Sequence, residues 1–480
     1  MADFTELIRK QHYLNGKWID GHNESRLTVA NKYTKDELAT LTLASPAQVS
    51  QAIDAAHRAQ GAFRKFSAQQ KAERLEALAD KLRNQREAFA QLICAEAGKP
   101  IAYARTEVER ALTTLKFAAA ECLRDGGEYV NVDYNAGEGR TALVRRFPIG
   151  PVAGITPFNF PLNLVMHKVA PALAVGAPII IKPASKTPLT ALALASLIDE
   201  LDYPEGAFNV IAARGSHTES LVTDERVKHL SFTGSDTVGW GLKGQAQKKH
   251  VTLELGGNAA VIVDAGIDVN KAAEATAYGS FLYAGQICIS TQRVIVHKAV
   301  YDEFEVAFLD ATARTHTGDP TDERTVNGPM ISDDDLQRID SWVNEARESK
   351  AEILMGGEVR SETHNLYAPT IIRDFRSDLK VAEEEAFAPV VVIERVNDFE
   401  EALERANDSR YGLQAGVFTN SVAHMKRAHE ALEVGGVIIN SVPGFRVDSM
   451  PYGGVKDSGH GREGVKYAME SMTEPRLLVY

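Results

Sequence analysis

The chain has 480 residues, 44 % of them hydrophobic and 25 % charged, an ordinary composition for a globular protein with more than one core. Its net charge of −12 argues against a nucleic-acid partner, which calls for a basic surface, but leaves room for a local cationic patch that holds a phosphate. Three cysteines (Cys94, Cys122 and Cys288), with no CxxC pair and no Cys/His cluster, make neither a disulfide framework nor a metal site.

The first residues, Met1 to Glu6, lack a basic region followed by an apolar run, so no secretory leader is expected. The longest apolar stretch, 169–181, is interrupted by Pro171, Gly176 and Pro178 and is too short to cross a bilayer. A reducing cytoplasm, with no membrane partner, suits these features best.

Two early helices are announced by their caps. Ser45-Pro46-Ala47-Gln48 offers an N-cap serine, a proline at the first helical position and a glutamine that closes a capping box. Ile53, Ala56 and Ala59 keep one stripe, and Gly61 is the expected stop. Ser67-Ala68-Gln69-Gln70 repeats the signature. Leu75, Leu78, Leu82, Phe89, Leu92 and Ile93 then extend one apolar face as far as Gly98 and Pro100. Cys94 and Cys122, in helical surroundings, read as buried structural thiols.

Residues 128–146 behave differently. Tyr129, Val130, Val132 and Tyr134 with a polar, glycine-rich turn predict a hairpin, and the tail 475–480 predicts a strand. Each has an unpaired edge unless another subunit covers it.

From Pro151 the pattern becomes one of alternation. Residues 152–155 and 178–181 are short, wholly apolar runs, as in strands buried on both faces. A helix is predicted over 187–201, with Thr187 as cap and Pro188 in the first turn, and strands over 208–211 and 227–232. Strand, helix, strand at this spacing predicts an open parallel α/β sheet. A second series follows Gly257: a strand at 259–263, a helix at 270–282, and strands at 293–297, 390–396 and 435–440. Two α/β units therefore meet near residues 250–260.

Glu254 and Cys288 lie on either side of that junction, in Glu254-Leu255-Gly256-Gly257-Asn258 and Gly285-Gln286-Ile287-Cys288. A thiol and a carboxylate, each beside small residues that admit a substrate, are the minimum for covalent catalysis followed by hydrolysis. The thiolate attacks a carbon, and the base then activates water to release the product. Gly285 and Gln286 read as shaping the loop. A cysteine hydrolase would need a histidine partner, and none of the 13 histidines falls in a recognisable catalytic motif.

Taken in order, Pro157-Phe158-Asn159-Phe160-Pro161, Lys182-Pro183, Phe232-Thr233-Gly234-Ser235 with Gly239, the glutamate and cysteine motifs, and Phe387-x-Pro389 resemble the aldehyde dehydrogenases. Asn407 with Tyr411-Gly412-Leu413, and Pro451-Tyr452-Gly453-Gly454-Val455-Lys456 with Ser458-Gly459, continue the series over nearly the whole chain. The resemblance implies a Rossmann-like cofactor domain (1–127 and 147–254), a catalytic domain (255–460) and a small β oligomerisation arm with its tail (128–146 and 461–480). It implies a homodimer or homotetramer sharing a sheet through that arm.

The chemistry it implies agrees with the residues. Cys288 attacks an aldehyde, and the oxyanion lies between the Asn159 side-chain amide and the Cys288 N–H, where one donor is worth on the order of 3 kcal/mol. Oxidation leaves a thioester, which Glu254-activated water hydrolyses to the acid. Asn159 as a turn cap and Glu254 as an ion-pair partner are the plainer alternatives. CoA-acylating relatives of the same fold, the rival reading, commonly lack the glutamate.

No Gly-x-Gly-x-x-Gly follows an early strand; Gly234 and Ser235 instead lead into a helix whose N-terminus can hold a pyrophosphate. The resemblance assigns Thr156, Pro157 and Lys182 to the cofactor as well, with Glu385 and Phe387 at the nicotinamide ribose and ring. Many NAD-preferring relatives carry a glutamate at the position of Ser185. Serine removes that charge, and Lys182, with Lys186, adds positive charge, so NADP is favoured over NAD.

For the aldehyde, Arg446 falls in the loop before Pro451-Tyr452, and a guanidinium there suits a carboxylate, sulfonate or phosphate. Arg110 is a second candidate, with a helix salt bridge as its alternative. Ile287 stands where phosphate-handling relatives often have arginine. The expected substrate is a short aldehyde that is hydroxylated or carries one acidic group, of the lactaldehyde or succinate semialdehyde type.

Overall fold

A computed structural model describes residues 3–22, 24–124 and 126–480; Met1 and Ala2, the first residues of the stretch expected to lack a leader, lie outside the described residues. Short runs that are mostly buried on both faces make the centre of the first sheet. Phe208–Val210, Ile179–Lys182, Val152–Ile155, His229–Thr233 and His250–Glu254 lie side by side in that order, all parallel. Lys17–Ile19 and His12–Leu14 extend one edge, and Gly459–His460 pairs antiparallel with Leu253 and Glu254 at the other. The chain winds outward from Val152–Ile155 to Phe208–Val210 and then returns to lay His229–Thr233 on the opposite side. The carboxyl ends of Val152–Ile155 and His229–Thr233 therefore flank a topological switch point, where such sheets open a crevice for a ligand.

The second sheet has the order Glu352–Met355, Thr370–Arg373, Val390–Val396, Thr291–His297, Ala259–Val263, Gln414–Phe418 and Gly436–Ile439. Only the first of these strands runs antiparallel to its neighbour. Residues 255–258 connect the two sheets, so the expected meeting of two α/β units falls at this seam.

Both capping boxes form, at Ser45 with Gln48 and at Ser67 with Gln70. The first helix, Pro46–Phe63, runs through Gly61 because the last turn buries Phe63 completely. That burial outweighs the roughly 1 kcal/mol a helical glycine costs. The second expected helix is broken at Gln85 into Ala68–Asn84 and Arg86–Ala97. Leu82 and Phe89, on either side of the break, are both fully buried, and their spacing of about two turns carries the stripe across it.

Thr187 does not cap its helix. Its hydroxyl donates to the Phe158 carbonyl, and the buried Glu96 carboxylate accepts the N–H groups of Leu189 and Thr190 at the start of Leu189–Asp199. Cys94 and Cys122 are buried, in Arg86–Ala97 and Ile101–Arg124.

A third, three-stranded sheet joins Thr473–Val479 to Ala142–Pro148 and that strand to Glu128–Val130, both antiparallel. The helix between tail and seam, Val465–Ser471, packs on Asn163–Val175 of the first unit.

Candidate active site

After the helix Val269–Phe281 the chain turns sharply through three left-handed residues, Tyr283, Ala284 and Gly285, to present Cys288. Two of these are not glycine, so the turn is strained and must be held. The Tyr283 hydroxyl donates to the Ala97 carbonyl at 2.9 Å. The Gln286 amide donates to the carbonyls of Tyr283 and Pro329 and accepts the Ile331 N–H. Gln286 is a clamp, in keeping with its expected role of shaping the loop. At Gly285 a Cβ would meet the Ala388 carbonyl at 2.2 Å, so only glycine fits.

The seam glycines have an equally direct cause. A Cβ on Gly257 would lie 2.6 Å from the Cys288 carbonyl oxygen, and one on Gly256 would lie 2.5 Å from the Glu385 carboxylate. Bare backbone lets both approach. Glu385 accepts the Gly257 N–H at 2.9 Å. Gln292 steadies the turn that carries Glu385, accepting the Ala386 N–H and donating to the carbonyls of Val381 and Glu384.

Asn159 reaches the loop from the first sheet, its side-chain amide donating to the Gln286 carbonyl at 2.9 Å. Glu254, the last residue of its strand, is 3 % exposed, and neither carboxylate oxygen has a hydrogen-bond partner. Burial, and then the charge of Glu463, push its carboxyl well above the usual range, with Arg446 and Lys168 opposing. Burial likewise pushes the Cys288 thiol up to about 11, against a hydrogen bond from Tyr452. The Tyr452 hydroxyl lies 3.0 Å from Sγ.

On the far side Arg446 is stacked on the Tyr452 ring, its guanidinium carbon 3.7 Å from the centroid. It is not a free guanidinium. It donates to Glu463 at 3.2 Å, while its Nε is buried without a partner. The other Glu463 oxygen takes Lys168 at 2.9 Å, and Lys168 also donates to Ser231 and Thr233. Burial works against ionisation of Glu463, but Lys168 and Arg446 overcome it and hold its carboxyl below the usual range.

Arg110 pairs with Asp448 of the Arg446 loop at 2.8 Å, across the site and not along its own helix. Asp448 also receives His167 at 2.8 Å and Asn163 at 3.2 Å.

Five of the eight expected cofactor residues lie at or beside the switch point. Thr156 and Pro157 follow one of its strands and Gly234 and Ser235 the other, with Lys182 ending the neighbouring strand. Thr156 Oγ1 is buried with no partner. Ser235 does not cap the helix Asp236–Gln245, although Asp236 takes the Thr237 N–H, and Arg410 in turn holds Asp236. A Cβ at Gly239 would meet Leu255 at 2.4 Å, so this glycine lets the helix close on the sheet. Phe387 meets Phe158 edge-on at 5.7 Å. Ser185 and Lys182 are partly exposed, and burial lowers the Lys182 ammonium below its usual range. Lys186 is drawn away to Asp335 at 2.8 Å and the Ser332 hydroxyl at 3.0 Å. An orphaned hydroxyl and a helix start at a switch point fit a dinucleotide.

Residues 18–478 match the aldehyde dehydrogenase family. The chain belongs to that family. It is an aldehyde dehydrogenase, an oxidoreductase of a class that uses NAD or NADP. It is 41 % identical to the 3-sulfolactaldehyde dehydrogenase of Priestia megaterium over all of this chain and 99 % of that one. Among solved structures, aldehyde dehydrogenase 21 of Physcomitrella patens, in complex with its reaction product succinate, shares 42 % identity over 98 % of both chains with a TM-score of 0.94. The glyceraldehyde-3-phosphate dehydrogenase of Methanocaldococcus jannaschii, complexed with NADP, shares 37 % over 96 % of this chain and all of that one, with a TM-score of 0.91.

Sequence reasoning missed several groups around the site of this aldehyde dehydrogenase: Tyr452 at the sulfur, the Lys168–Glu463–Arg446 chain, and the Asp448 hub with His167 and Asn163. Lys168, with Asn163 and His167 on the same helix, left a signal, since polar side chains inside a largely apolar helix must find buried partners. For the others the partners lie far apart in sequence, and no local pattern marks them.

Proposed function

We propose that this aldehyde dehydrogenase oxidises a short acidic or hydroxylated aldehyde to its carboxylic acid through a thioester on Cys288. The supporting observation is the seam itself. Among the described residues it brings the one cysteine that keeps some exposure into the neighbourhood of a buried glutamate whose carboxylate oxygens have no hydrogen-bond partner. Cys288 Sγ bonds to the aldehyde carbon, and the carbonyl electron pair moves to oxygen. The Asn159 amide keeps a second N–H for that oxyanion, alongside the Cys288 N–H. When bound, NADP or NAD supplies the two-electron acceptor that turns the thiohemiacetal into the thioester. Glu254 takes a proton from water, which displaces sulfur and releases the acid. The CoA-acylating alternative finds no support in the comparisons.

The cofactor is held by Thr156, Pro157, Lys182, Ser185, Gly234, Ser235, Glu385 and Phe387. NADP is favoured, on the absence of a carboxylate at Ser185 and the presence of Lys182; the NADP complex of a relative accords with this. Lys186 is committed to Asp335 and adds no free charge for a phosphate.

Arg446, held by Glu463 but with its Nε unpartnered, and Arg110, held by Asp448, recognise the acidic end of the substrate through the donors these pairs leave over. This accords with a relative that acts on a sulfonated hydroxyaldehyde and another that holds succinate. The unit built on the first sheet binds the cofactor, and the second carries the nucleophile. The arm formed by Glu128–Val130, Ala142–Pro148 and Thr473–Val479 joins subunits into a homodimer or homotetramer, as its exposed Leu477, Leu478 and Tyr480 favour.

The test is reduction of NADP and NAD, followed by absorbance, with succinate semialdehyde, lactaldehyde, 3-sulfolactaldehyde and glyceraldehyde 3-phosphate, with and without CoA. Turnover is expected without CoA, on the acidic aldehydes, and not in Cys288→Ala. Wild-type turnover by that variant overturns the reading.

A further inference from the structure

We propose that Tyr452 is a further catalytic residue, its phenolic hydroxyl donating a hydrogen bond that stabilises the Cys288 thiolate. The proposal rests on reading Cys288 as the nucleophile.

The sulfur stands in surroundings that resist its ionisation. Cys288 keeps some exposure, but desolvation of its sulfur and, among the ionisable groups facing it, the carboxylates of Glu254 and Glu385 all favour the neutral thiol. The Tyr103 phenol also feels its charge. Two groups act the other way, Arg446 and Tyr452, and only Tyr452 touches the sulfur, at 3.0 Å.

A neutral thiol is a weak donor and a weak acceptor, whereas a thiolate only accepts. On ionisation the hydroxyl must therefore be the donor, and a hydrogen bond to a charged acceptor is roughly twice as strong as a neutral one. The phenol keeps its own proton, since burial raises Tyr452 well above the ordinary tyrosine range. The proton leaving sulfur passes to water.

The hydroxyl is fixed where it acts. Tyr452 is 3 % exposed, Sγ is its hydroxyl's only hydrogen-bond partner among the described residues, and Arg446, anchored by Glu463, lies across its ring. A cation on the ring face draws electron density from the phenol and makes it a better donor. Phenylalanine at this position would keep the ring and the stack but leave the sulfur without its donor.

The experiment is the pH dependence of Cys288 alkylation by iodoacetamide in the full-length enzyme, read by peptide mass spectrometry, for wild type and Tyr452→Phe. The variant is expected to keep its melting temperature. Its alkylation midpoint should rise by about one pH unit or more, with alkylation near neutrality slowed about tenfold, the size of one hydrogen bond to a buried charge. Superimposable profiles would overturn the proposal. So would a fall in the midpoint, because the hydroxyl would then be serving the neutral thiol as acceptor. Aldehyde-dependent reduction of NADP and NAD by the wild type is measured on the same samples. Its absence would remove the proposed reaction while leaving the alkylation result to stand or fall alone.

Discussion

The Asn159 amide donates to the Gln286 carbonyl at 2.9 Å, tying the first sheet's active-site loop to the strained turn that presents Cys288. One N–H of the amide is spent on this tie, and the other is the one proposed to serve the oxyanion. Asn159→Ala therefore loses a transition-state donor and a loop anchor together. The expected result is a drop in kcat of about 10²–10³-fold, with a stability loss of about 1 kcal/mol in urea unfolding. Wild-type kcat with only the stability loss would reduce Asn159 to an anchor.

On the proposed mechanism Glu254 sets the pH dependence. Its carboxyl is raised by burial, then by Glu463, so at low pH it is protonated and cannot accept a proton from water. The Cys288 thiol is also raised, to about 11, so its thiolate fraction grows with pH as well. Both effects have one sign: kcat and kcat/KM rise from neutral into alkaline pH. A descending profile over that range would contradict these assignments.

The same shift is a statement about stability. A carboxyl raised in the folded state contributes stability that is complete below its unfolded value, near 4.5, and is lost as pH climbs toward the folded value. The melting temperature of Glu254→Gln minus that of wild type should therefore increase as pH rises from mildly acidic to alkaline. A difference that shrinks would show that Glu254 is ionised at little cost.

Asp448 is the converse case. Burial opposes its charge, but His167 and Arg110 hold the carboxyl well below the usual range. Asp448→Ala leaves Arg110, His167 and Asn163 without their shared acceptor and is expected to cost about 3 kcal/mol. Asp448→Asn, with less structural damage, should raise KM for acidic aldehydes more than for neutral ones by loosening Arg110. An equal rise for both would detach Arg110 from recognition.

Ser185→Glu places a carboxylate three residues beyond Lys182, in the loop that follows its strand. It should move the ratio of kcat/KM for NADP over NAD toward NAD by about tenfold or more, through repulsion of the extra phosphate at short range. An unchanged ratio would place phosphate selection elsewhere.

Much of this was legible in the residues because it is local. Strand positions at 259–263 and 390–396 coincide with Ala259–Val263 and Val390–Val396, where apolar runs leave no other option. Gly256 and Gly257 could be read as small, though only the structure shows that their size admits Glu385 and the Cys288 carbonyl. What stayed hidden is non-local. Glu96 replaces Thr187 as a helix cap from almost a hundred positions away, and nothing around Thr187 reveals it. Arg446 reads as a free cation because Glu463 and the Tyr452 ring meet it only after folding.

The most direct measurement is the mass of the Cys288 peptide from Glu254→Gln enzyme mixed with NADP and succinate semialdehyde and quenched in acid. With oxidation intact and hydrolysis slowed, the account predicts a succinyl thioester on Cys288, formed in step with one equivalent of reduced cofactor. Reduced cofactor with an unmodified Cys288, or with the acyl group on another residue, would contradict it.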